Sequence, residues 1–254
     1  MDDFAMLRLQ VEWGADDALD TEPVERLRER APAPPPMQAR RPEPIVPADT
    51  PKATPAERAL TAAGQANSLP ELQAAIAAFD GCALRDTASH AVFAEGDPAT
   101  GLLFIGEAPG ADEDRTGHVF AGREGALFDK MLVSIGLTRA DIVMAPLIPW
   151  RPPGGRPPNP GEVAVCLPFL HRLIALTRPM RLVLLGTQTA NSILPLTARR
   201  RRQTPAWVDC TIPGQHDPVP ALALPGLSAL LKNPGERRDA WAGLRLLRRT
   251  LDGV

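Results

Sequence analysis

The segment GEAPGADEDRTGHVFAGREG (106–125) holds the residues of this chain whose types and spacing best suit chemistry on a flat ligand. Gly106 and Gly110 carry no side chain, so the backbone there can approach such a ligand closely. Free N–H groups of the turn, which includes Ala108, can donate to a carbonyl oxygen of the ligand. The carboxylate of Glu107 can act on the bound molecule, and the ring of Phe120 can stack on it. This pattern predicts a cradle for one planar ring.

Plainer structural roles are open for the same side chains. Phe120 also fits an ordinary aromatic residue of the core. Glu107 also fits a solvated loop carboxylate or a helix-capping residue. Asp112 and Asp114 fit the first turn of a helix as well as they fit contact with a ligand.

Four short apolar runs in the chain have the length and composition of buried strands. They are GLLFIG (101–106), DIVMAP (141–146), RLVLLG (181–186) and PALAL (220–224). Helical patterns lie before, between and after them, at 69–79, 126–137, 161–177 and 236–251; Ser68 and Asn159 are the predicted N-caps of the first and third. This alternation predicts a three-layer α/β/α domain with a central, mostly parallel, four-stranded sheet. Because ligands bind beyond the carboxyl ends of such strands, the predicted cradle after Gly106 lies where a site is expected.

The composition of the 254 residues excludes several classes of protein. The net charge of -2 and the isoelectric point near 6.1 argue against a protein that coats nucleic acid by bulk charge. No apolar run approaches the roughly 20 residues of a membrane-spanning helix. The first residues, MDDFAMLRLQ, carry acids where a signal peptide has basic residues, so we expect a cytoplasmic protein. The three cysteines form no CxxC pair, so the spacing alone indicates no metal site.

Proline density divides the chain into three expected regions. Residues 1–30 fit a short helix followed by a charged segment. Residues 31–57 are rich in proline, which predicts an extended, disordered linker. Residues 58–254 form the expected α/β domain. A short helix on such a tether suits contact with a protein partner.

The ordered series of motifs resembles family 4 uracil-DNA glycosylases, the branch that carries an iron–sulfur cluster. That family reads GEAPG, an acidic pair, Gly-x-x-Phe, Gly-Arg before a helix, a CRPPxNR loop and a strand that ends in LG. The matching segments here are 106–137, RPPGGRPPNPGE (151–162), RPMRLVLLGTQTANSIL (178–194) and SALLKNPGERRDAW (228–241). The resemblance covers about residues 69–252. It implies excision of uracil from DNA by hydrolysis of the N-glycosidic bond, with the base flipped out of the helix.

The resemblance also assigns roles to particular residues. It implies that Gly106, Glu107, Ala108 and Gly110 line the base pocket and that Phe120 is the stacking ring. As catalytic residues we expect Glu107, Asp112 and Ser228.

Two side chains of the family pattern are missing. The asparagine that reads the pyrimidine edge falls on Pro146, which has no side-chain donor. The HPS segment, whose histidine supports the leaving group, falls on Gly226-Leu227-Ser228, and only the serine matches. Loss of one such donor typically slows a reaction by about 100- to 1,000-fold. His118 and His216 are either replacements or ordinary surface histidines.

Two of the four cluster-ligand positions of the family hold cysteine in this chain. The four positions fall on Phe79, Cys82, Trp150 and Cys166. Because two thiolates do not hold a [4Fe–4S] cluster securely, we expect no cofactor and an apolar plug of the two rings in its place. Cys82 and Cys166 should then lie near each other. Alternatively, the cysteines are simply small buried hydrophobic residues.

Five arginines are the predicted DNA contacts: Arg123, Arg151 and Arg156 around the expected pocket, and Arg199 and Arg200 at the start of a run of four. That run also fits a solvated loop. We expect DNA, single- or double-stranded, as the partner of a monomeric protein, with affinity that falls steeply as salt rises.

Three functions are therefore considered. The first is a uracil-DNA glycosylase-like repair enzyme that uses Glu107, the GEAPG backbone and Phe120 but lacks the asparagine and the histidine of the family pattern. The second is a catalytically impaired member that binds DNA or a base, or serves as a partner of repair proteins. The third is an unrelated α/β hydrolase or small-molecule binding module that reuses the glycine-rich turn. Excision of uracil from a test oligonucleotide, or salt-sensitive binding without excision, separates them.

Overall fold

The computed structural model describes residues 8, 12, 13, 53–199 and 205–253. The chain divides into two compact units, 1–51 and 52–254. Within the first unit, Arg8 and Glu12 are helical, and both are exposed, as is Trp13. The other residues of the predicted N-terminal segment, and almost all of the predicted proline-rich linker, lie outside the described residues.

Nine helices are described in the second unit. They are α1 (Pro55–Gln65), α2 (Leu69–Ala78), α3 (Ala111–Thr116), α4 (Gly122–Ser134), α5 (Pro160–Thr177), α6 (Thr187–Ile193), α7 (Leu196–Arg199), α8 (Leu227–Lys232) and α9 (Pro234–Leu251). Side-chain caps begin several of them. Ser68 accepts from the Glu71 N–H at 3.3 Å, and Asn159 accepts from the Glu162 N–H at 2.9 Å. Both caps were predicted from the sequence and are confirmed.

Five strands form one sheet among the described residues: β1 (Leu102–Gly106), β2 (Val143–Pro146), β3 (Arg181–Leu185), β4 (Trp207–Cys210) and β5 (Val219–Leu224). The order is β2-β1-β3-β5-β4. β1 pairs in parallel with β2 and β3, with Leu103 opposite both Val143 and Leu182. β3 pairs in parallel with β5. The predicted α/β class and mostly parallel sheet are confirmed.

The fifth strand differs from the four-stranded prediction. β4 pairs antiparallel with β5, with Val208 opposite Ala221, at the edge of the sheet. Trp207 and Val208 are partly buried, Asp209 is exposed, and Cys210 is buried. A strand this short and half exposed lacks the continuous apolar run that identified the other four, which explains why it was missed.

Successive residues of β1 point to opposite faces of the sheet and enter two separate cores. Leu103 and Ile105 belong to a core that includes Cys82, Cys166 and residues of α1, α2 and α5; we call it the cysteine face. Phe104 belongs to a core that includes Phe120, Phe128 and residues of α4, α8 and α9; we call it the Phe120 face. Each face therefore has its own hydrophobic layer, and β1 ends between them.

Across residues 53–199 and 205–253, none of the helices combines the length and the apolar character that crossing a membrane requires.

Candidate functional site

A cleft with about 320 Å³ of empty space, open solvent included, lies at the carboxyl end of β1. Its lining is formed by Gly106, Glu107, Ala108, Glu113, Phe120, Pro146, Leu185 and Leu227. Four of these residues were predicted as base-binding: Gly106, Glu107, Ala108 and Phe120. The structure thus brings the glycine turn, a carboxylate and an aromatic ring to one cleft.

Phe120 is both a core residue and a wall of the cleft. Its side chain is only 5% exposed, and its ring centroid lies 4.5 Å from that of Phe128. The ring also lies directly against Gly106, where an added Cβ would overlap it. Phe120 is therefore both a core aromatic residue and a wall of the cleft, because its ring packs against Phe128 and also lines the cleft.

Glu107 extends from the end of β1 across the ends of the neighbouring strands. Its Oε1 accepts a hydrogen bond from the Gln188 N–H at 3.3 Å. A Cβ at Gly186 or at Gly226 would meet its carboxyl group, so both glycines make room for it. Burial raises the pKa of Glu107, and the Gln188 bond lowers it to a lesser extent. The cleft thus contains a half-buried carboxyl group that is costly to ionise.

A second carboxyl group interacts with Glu107. Burial raises the pKa of Glu124, in the first turn of α4, and repulsion from Glu107 raises it further. Lys232 at the end of α8 acts in the opposite direction. The charge of Glu107 therefore opposes ionisation of Glu124, which does not itself line the cleft.

Glu113 is a cleft residue that the sequence analysis missed. Its Oε2 accepts from the Gly110 N–H at 2.6 Å and its Oε1 accepts from the Phe120 N–H at 2.7 Å. The N–H of Gly110, which was expected to be free for a ligand, is therefore bonded within the protein. Burial raises the pKa of Glu113, and these two bonds counteract that rise. A signal was present in the sequence, because Glu113 is the third residue of the helix that follows Gly110, where a glutamate bonds back to the N-cap.

Two predicted catalytic residues do not line the cleft. Asp112, in α3, pairs with Arg115 at 3.2 Å, and its half-exposed side chain packs against Gly122. Ser228 is partly buried and follows Leu227, a lining residue, in the first turn of α8. Catalytic roles for both stay predictions. Asp114 accepts from the N–H groups of Ser89 and His90, which favours a structural role for it.

The predicted DNA-contacting arginines have different surroundings. Arg123 is exposed in the first turn of α4. Arg151 is partly exposed, with Nη1 4.0 Å from Asp114, and its buried Nε has no hydrogen-bond partner among the described residues. Arg156 makes two bonds to Glu162, at 2.9 and 2.6 Å, beside the start of α5. The side chain of Arg199 and all of Arg200 lie outside the described residues.

Comparison with known proteins identifies the family. Residues 93–245, more than half of the chain, match the model of the uracil DNA glycosylase superfamily. The chain belongs to this superfamily. A type-4 uracil-DNA glycosylase of Pyrobaculum aerophilum is 37% identical over 132 residues, which are 52% of this chain and 67% of that relative.

Two further type-4 uracil-DNA glycosylases give similar matches. The protein of Archaeoglobus fulgidus is 38% identical over 129 residues, which are 51% of this chain and 65% of the relative. The protein of Thermotoga maritima is 38% identical over 105 residues, which are 41% of this chain and 55% of the relative. The matched segment thus spans just over half to two thirds of these relatives. Their names place the chain in the type-4 branch, and the predicted resemblance is confirmed.

The two departures from the glycosylase family pattern also fall at the cleft. Pro146, at the asparagine position, lines it as the last residue of β2. Neither candidate replacement for the histidine reaches the cleft. His118 is exposed and lies 2.9 Å from Glu95, and His216 is 98% exposed. The cleft lining among the described residues therefore includes no side-chain amide or imidazole.

The four cluster positions of the glycosylase family lie together in the cysteine face. Phe79, Cys82, Trp150 and Cys166 are all at most 6% exposed. A hydrogen bond with Cys166 is the main cause that lowers the pKa of Cys82 to about 7, whereas the same bond and burial raise the pKa of Cys166. The prediction that the two thiols lie near each other is confirmed.

These residues do not fit a [4Fe–4S] cluster held by four thiolates. The whole chain has only three cysteines. The third, Cys210, lies in β4 and donates to the Val208 carbonyl at 3.6 Å. Aromatic rings fill the other two positions, and that of Phe79 packs edge-on against Phe169 at 5.2 Å. Across the described residues, no three His, Cys, Asp or Glu side chains are grouped so as to hold a metal ion.

Proposed function

We propose that this protein excises uracil from DNA by hydrolysing the N-glycosidic bond. The observation that carries the proposal is the cleft in which the Phe120 ring, the Gly106–Ala108 backbone and the Glu107 carboxyl group meet at the end of β1. The relatives that share this segment are named type-4 uracil-DNA glycosylases.

Binding requires that the target nucleotide leave the base stack, because the cleft is too narrow for a duplex. The flipped base stacks on Phe120, an interaction worth about 1–3 kcal/mol. Gly106 leaves space for that contact, since a side chain there would displace the ring. The site therefore selects for a single planar base.

In the chemical step, the bond between the sugar C1′ and the base N1 breaks and the base keeps the electron pair. The sugar gains oxocarbenium character. A water oxygen then adds to C1′ while the water loses a proton to a general base of the protein. Glu107 is the carboxylate we assign to that proton or to positioning of the water. Its raised pKa makes the carboxylate a better proton acceptor than an exposed glutamate.

The altered cleft implies a slow enzyme. Pro146 offers no side-chain donor to the base, and no histidine among the described residues lines the cleft to support the anion that leaves. Each missing donor costs about 100- to 1,000-fold in rate by comparison with other enzymes. Backbone N–H groups of the turn are the remaining donors, and we expect excision well below that of a complete site.

The protein acts without a metal cofactor in this proposal. The rings of Phe79 and Trp150 supply the buried volume and packing in the cysteine face, next to the Cys82–Cys166 thiol pair. No step of the reaction passes through iron. Purified protein is expected to be colourless, and absorbance near 400 nm with stoichiometric iron would contradict this part of the proposal.

DNA is held by the arginines near the cleft. Arg123 and Arg151 are better placed for phosphate than Arg156, whose guanidinium is occupied by Glu162. Because the relatives named above are all named glycosylases, the alternative function, in which the protein binds DNA without excision, is not favoured. A single assay separates the two possibilities.

The test is incubation with a uracil-containing oligonucleotide, single- and double-stranded, followed by alkali to cut abasic sites. Cleavage is expected with the wild type and is expected to be lost in Glu107→Gln and Phe120→Ala. Glu236→Gln, at a partly exposed glutamate in the first turn of α9, is the matched control that should retain cleavage. Binding without cleavage would contradict excision and support the binding alternative.

A further inference from the structure

The backbone at Phe120 has an unusual conformation. Its φ is +51°, in the left-handed region that residues other than glycine rarely adopt. Within the described residues, Arg178 is the only other non-glycine residue with a positive φ. Such a conformation persists where the surroundings hold it in place. The contacts around Phe120 show which groups do so.

Carboxylates hold the two N–H groups of the Val119–Phe120 segment. The Phe120 N–H donates to Glu113 at 2.7 Å and the Val119 N–H donates to Glu95 at 3.1 Å. Glu113 itself also lines the cleft. The two carboxylates are acceptors, so the carbonyl oxygens of Val119 and Phe120 need a donor from another residue.

One guanidinium group bonds both of those carbonyls. Arg139 donates from Nη1 to the Val119 oxygen at 3.0 Å and from Nη2 to the Phe120 oxygen at 2.6 Å. Its Nε donates to Asp129 of α4 at 2.6 Å, which fixes the plane of the guanidinium. Gly125 lies under the Phe120 carbonyl, because a Cβ there would overlap the oxygen. Arg139 itself does not line the cleft.

We propose that Arg139 is a positioning residue that holds the Phe120 ring as the wall of the cleft, through the carbonyl oxygens of Val119 and Phe120. The proposal rests on the proposed function, in which Phe120 stacks on the flipped base. The planar fork of an arginine suits two adjacent carbonyls, whereas a lysine ammonium binds as a single point. Loss of the fork frees the backbone to leave the left-handed region, and the ring then moves with it.

The neighbouring ion pair provides a matched control. Asp129→Asn removes the charge partner of Arg139, but the amide oxygen can still accept from Nε, so the plane of the guanidinium and the two carbonyl bonds are kept. If Arg139 served only the general stability of α4, Asp129→Asn and Arg139→Ala would impair the protein alike. If it positions Phe120, only the loss of the fork affects the cleft.

The experiment compares wild type, Arg139→Ala, Arg139→Lys and Asp129→Asn in two assays. Single-turnover excision measures the chemical step, and hydrogen exchange of peptides covering residues 117–125 measures how firmly the wall is held. We expect Arg139→Ala to slow excision by roughly 10- to 100-fold, the effect of a small misplacement of a substrate-contacting group. Arg139→Lys should be intermediate and Asp129→Asn close to wild type. Exchange at 117–125 should accelerate in the same order, with no change in β3.

The outcomes distinguish this inference from the proposed function. If the wild type excises uracil and Arg139→Ala excises it equally fast, the inference is wrong and the function stands. If the wild type shows no excision, the function is wrong, and hydrogen exchange alone decides whether Arg139 holds the wall. Unchanged exchange at 117–125 in Arg139→Ala overturns the inference in either case. Should Arg139→Ala fail to fold, Arg139→Lys provides the same comparison.

Discussion

The two faces of the sheet have diverged from the family pattern in different ways. On the cysteine face, two of the four cluster positions hold Phe79 and Trp150, and all four lie within one hydrophobic core. Near the end of β1, beside the Phe120 face, three carboxyl groups are buried or half-buried: Glu107, Glu113 and Glu124. Burial of such acids costs free energy unless they are hydrogen-bonded or paired, whereas aromatic rings pack readily.

This difference shows which parts of the fold depend on volume and which depend on chemistry. A position that supports the fold can change from ligand to ring as long as the space stays filled. A position at the cleft is constrained by hydrogen bonds in definite directions, such as those of Glu113 to Gly110 and Phe120. The comparison can be tested by changing each region in turn.

The largest effect on stability is expected on the cysteine face. Trp150→Ala should lower the free energy of unfolding by about 3–5 kcal/mol, because it empties a fully buried site. The activity per folded molecule should change little, since Trp150 does not line the cleft. Urea unfolding measures the first quantity and the alkali-cleavage assay the second. Trp241→Ala, at a tryptophan that is 46% exposed, should lower the free energy of unfolding far less. Equal losses in the two variants would contradict the apolar plug expected at Phe79 and Trp150.

At the cleft, Gly186→Ala should damage activity more than stability. Gly186 has a φ of +102°, and its added Cβ would overlap the Glu107 carboxyl group. The substitution should cost about 1–3 kcal/mol of unfolding free energy and displace Glu107 from the cleft. We expect excision to fall by about 100-fold. Gly64→Ala in α1, where no atom lies within 4 Å of the added Cβ, is the control and should leave excision unchanged. Normal excision by Gly186→Ala would separate Glu107 from catalysis.

Excision by the wild type should decline as the pH falls through the raised pKa of Glu107. The working form is the carboxylate, so the acidic limb should lie above the ordinary glutamate pKa. Glu124→Gln should leave this limb in place, because burial is the main cause of the raised pKa of Glu107, whereas repulsion from Glu107 acts on Glu124. Rate profiles of both proteins between about pH 4 and 8 check this. A limb that moves to lower pH in Glu124→Gln would show that the charge of Glu124 also acts on Glu107.

The same shifts determine the direction of the stability change. A glutamate with a raised pKa in the folded state contributes stability below its unfolded pKa, and that contribution disappears as pH rises through the folded value. Glu113 and Glu124 should therefore make the wild type less stable as the pH rises past these values. Glu124→Gln should weaken that dependence in thermal unfolding.

The smallest effect is expected from single arginines at the DNA surface. Arg123→Gln should weaken DNA binding and reduce the slope of log affinity against log salt by about one. Arg156→Gln should change the slope less, because Arg156 is bonded to Glu162 rather than free for phosphate. Fluorescence anisotropy at several salt concentrations measures both slopes. A larger change for Arg156 would assign the phosphate contact to that residue.

Much of the fold could be predicted because its determinants are local. The apolar runs that became β1, β2, β3 and β5 were read from composition, and the caps at Ser68 and Asn159 from single residues. β4 was missed because it is short and half exposed and has no continuous apolar run. The predicted boundaries at 30 and 57, the monomeric state and the N-terminal partner stay predictions.

The site was predicted in part for the same reason. Gly106, Glu107, Ala108 and Phe120 lie in one segment, and the resemblance identified them together. Glu113 was overlooked among neighbouring acids, although its position in the helix start was informative. Arg139 gave no signal in the sequence, because its role follows from two carbonyl oxygens about 20 residues away.

A crystal structure of Glu107→Gln with a short single-stranded oligonucleotide that contains uracil tests the central claim most directly. The variant should bind without cutting, so the intact substrate can be observed. We predict the uracil ring stacked against Phe120, between the Gly106–Ala108 backbone and Pro146. A uracil bound elsewhere, with the Phe120 ring unmoved and the cleft closed to it, would contradict the account.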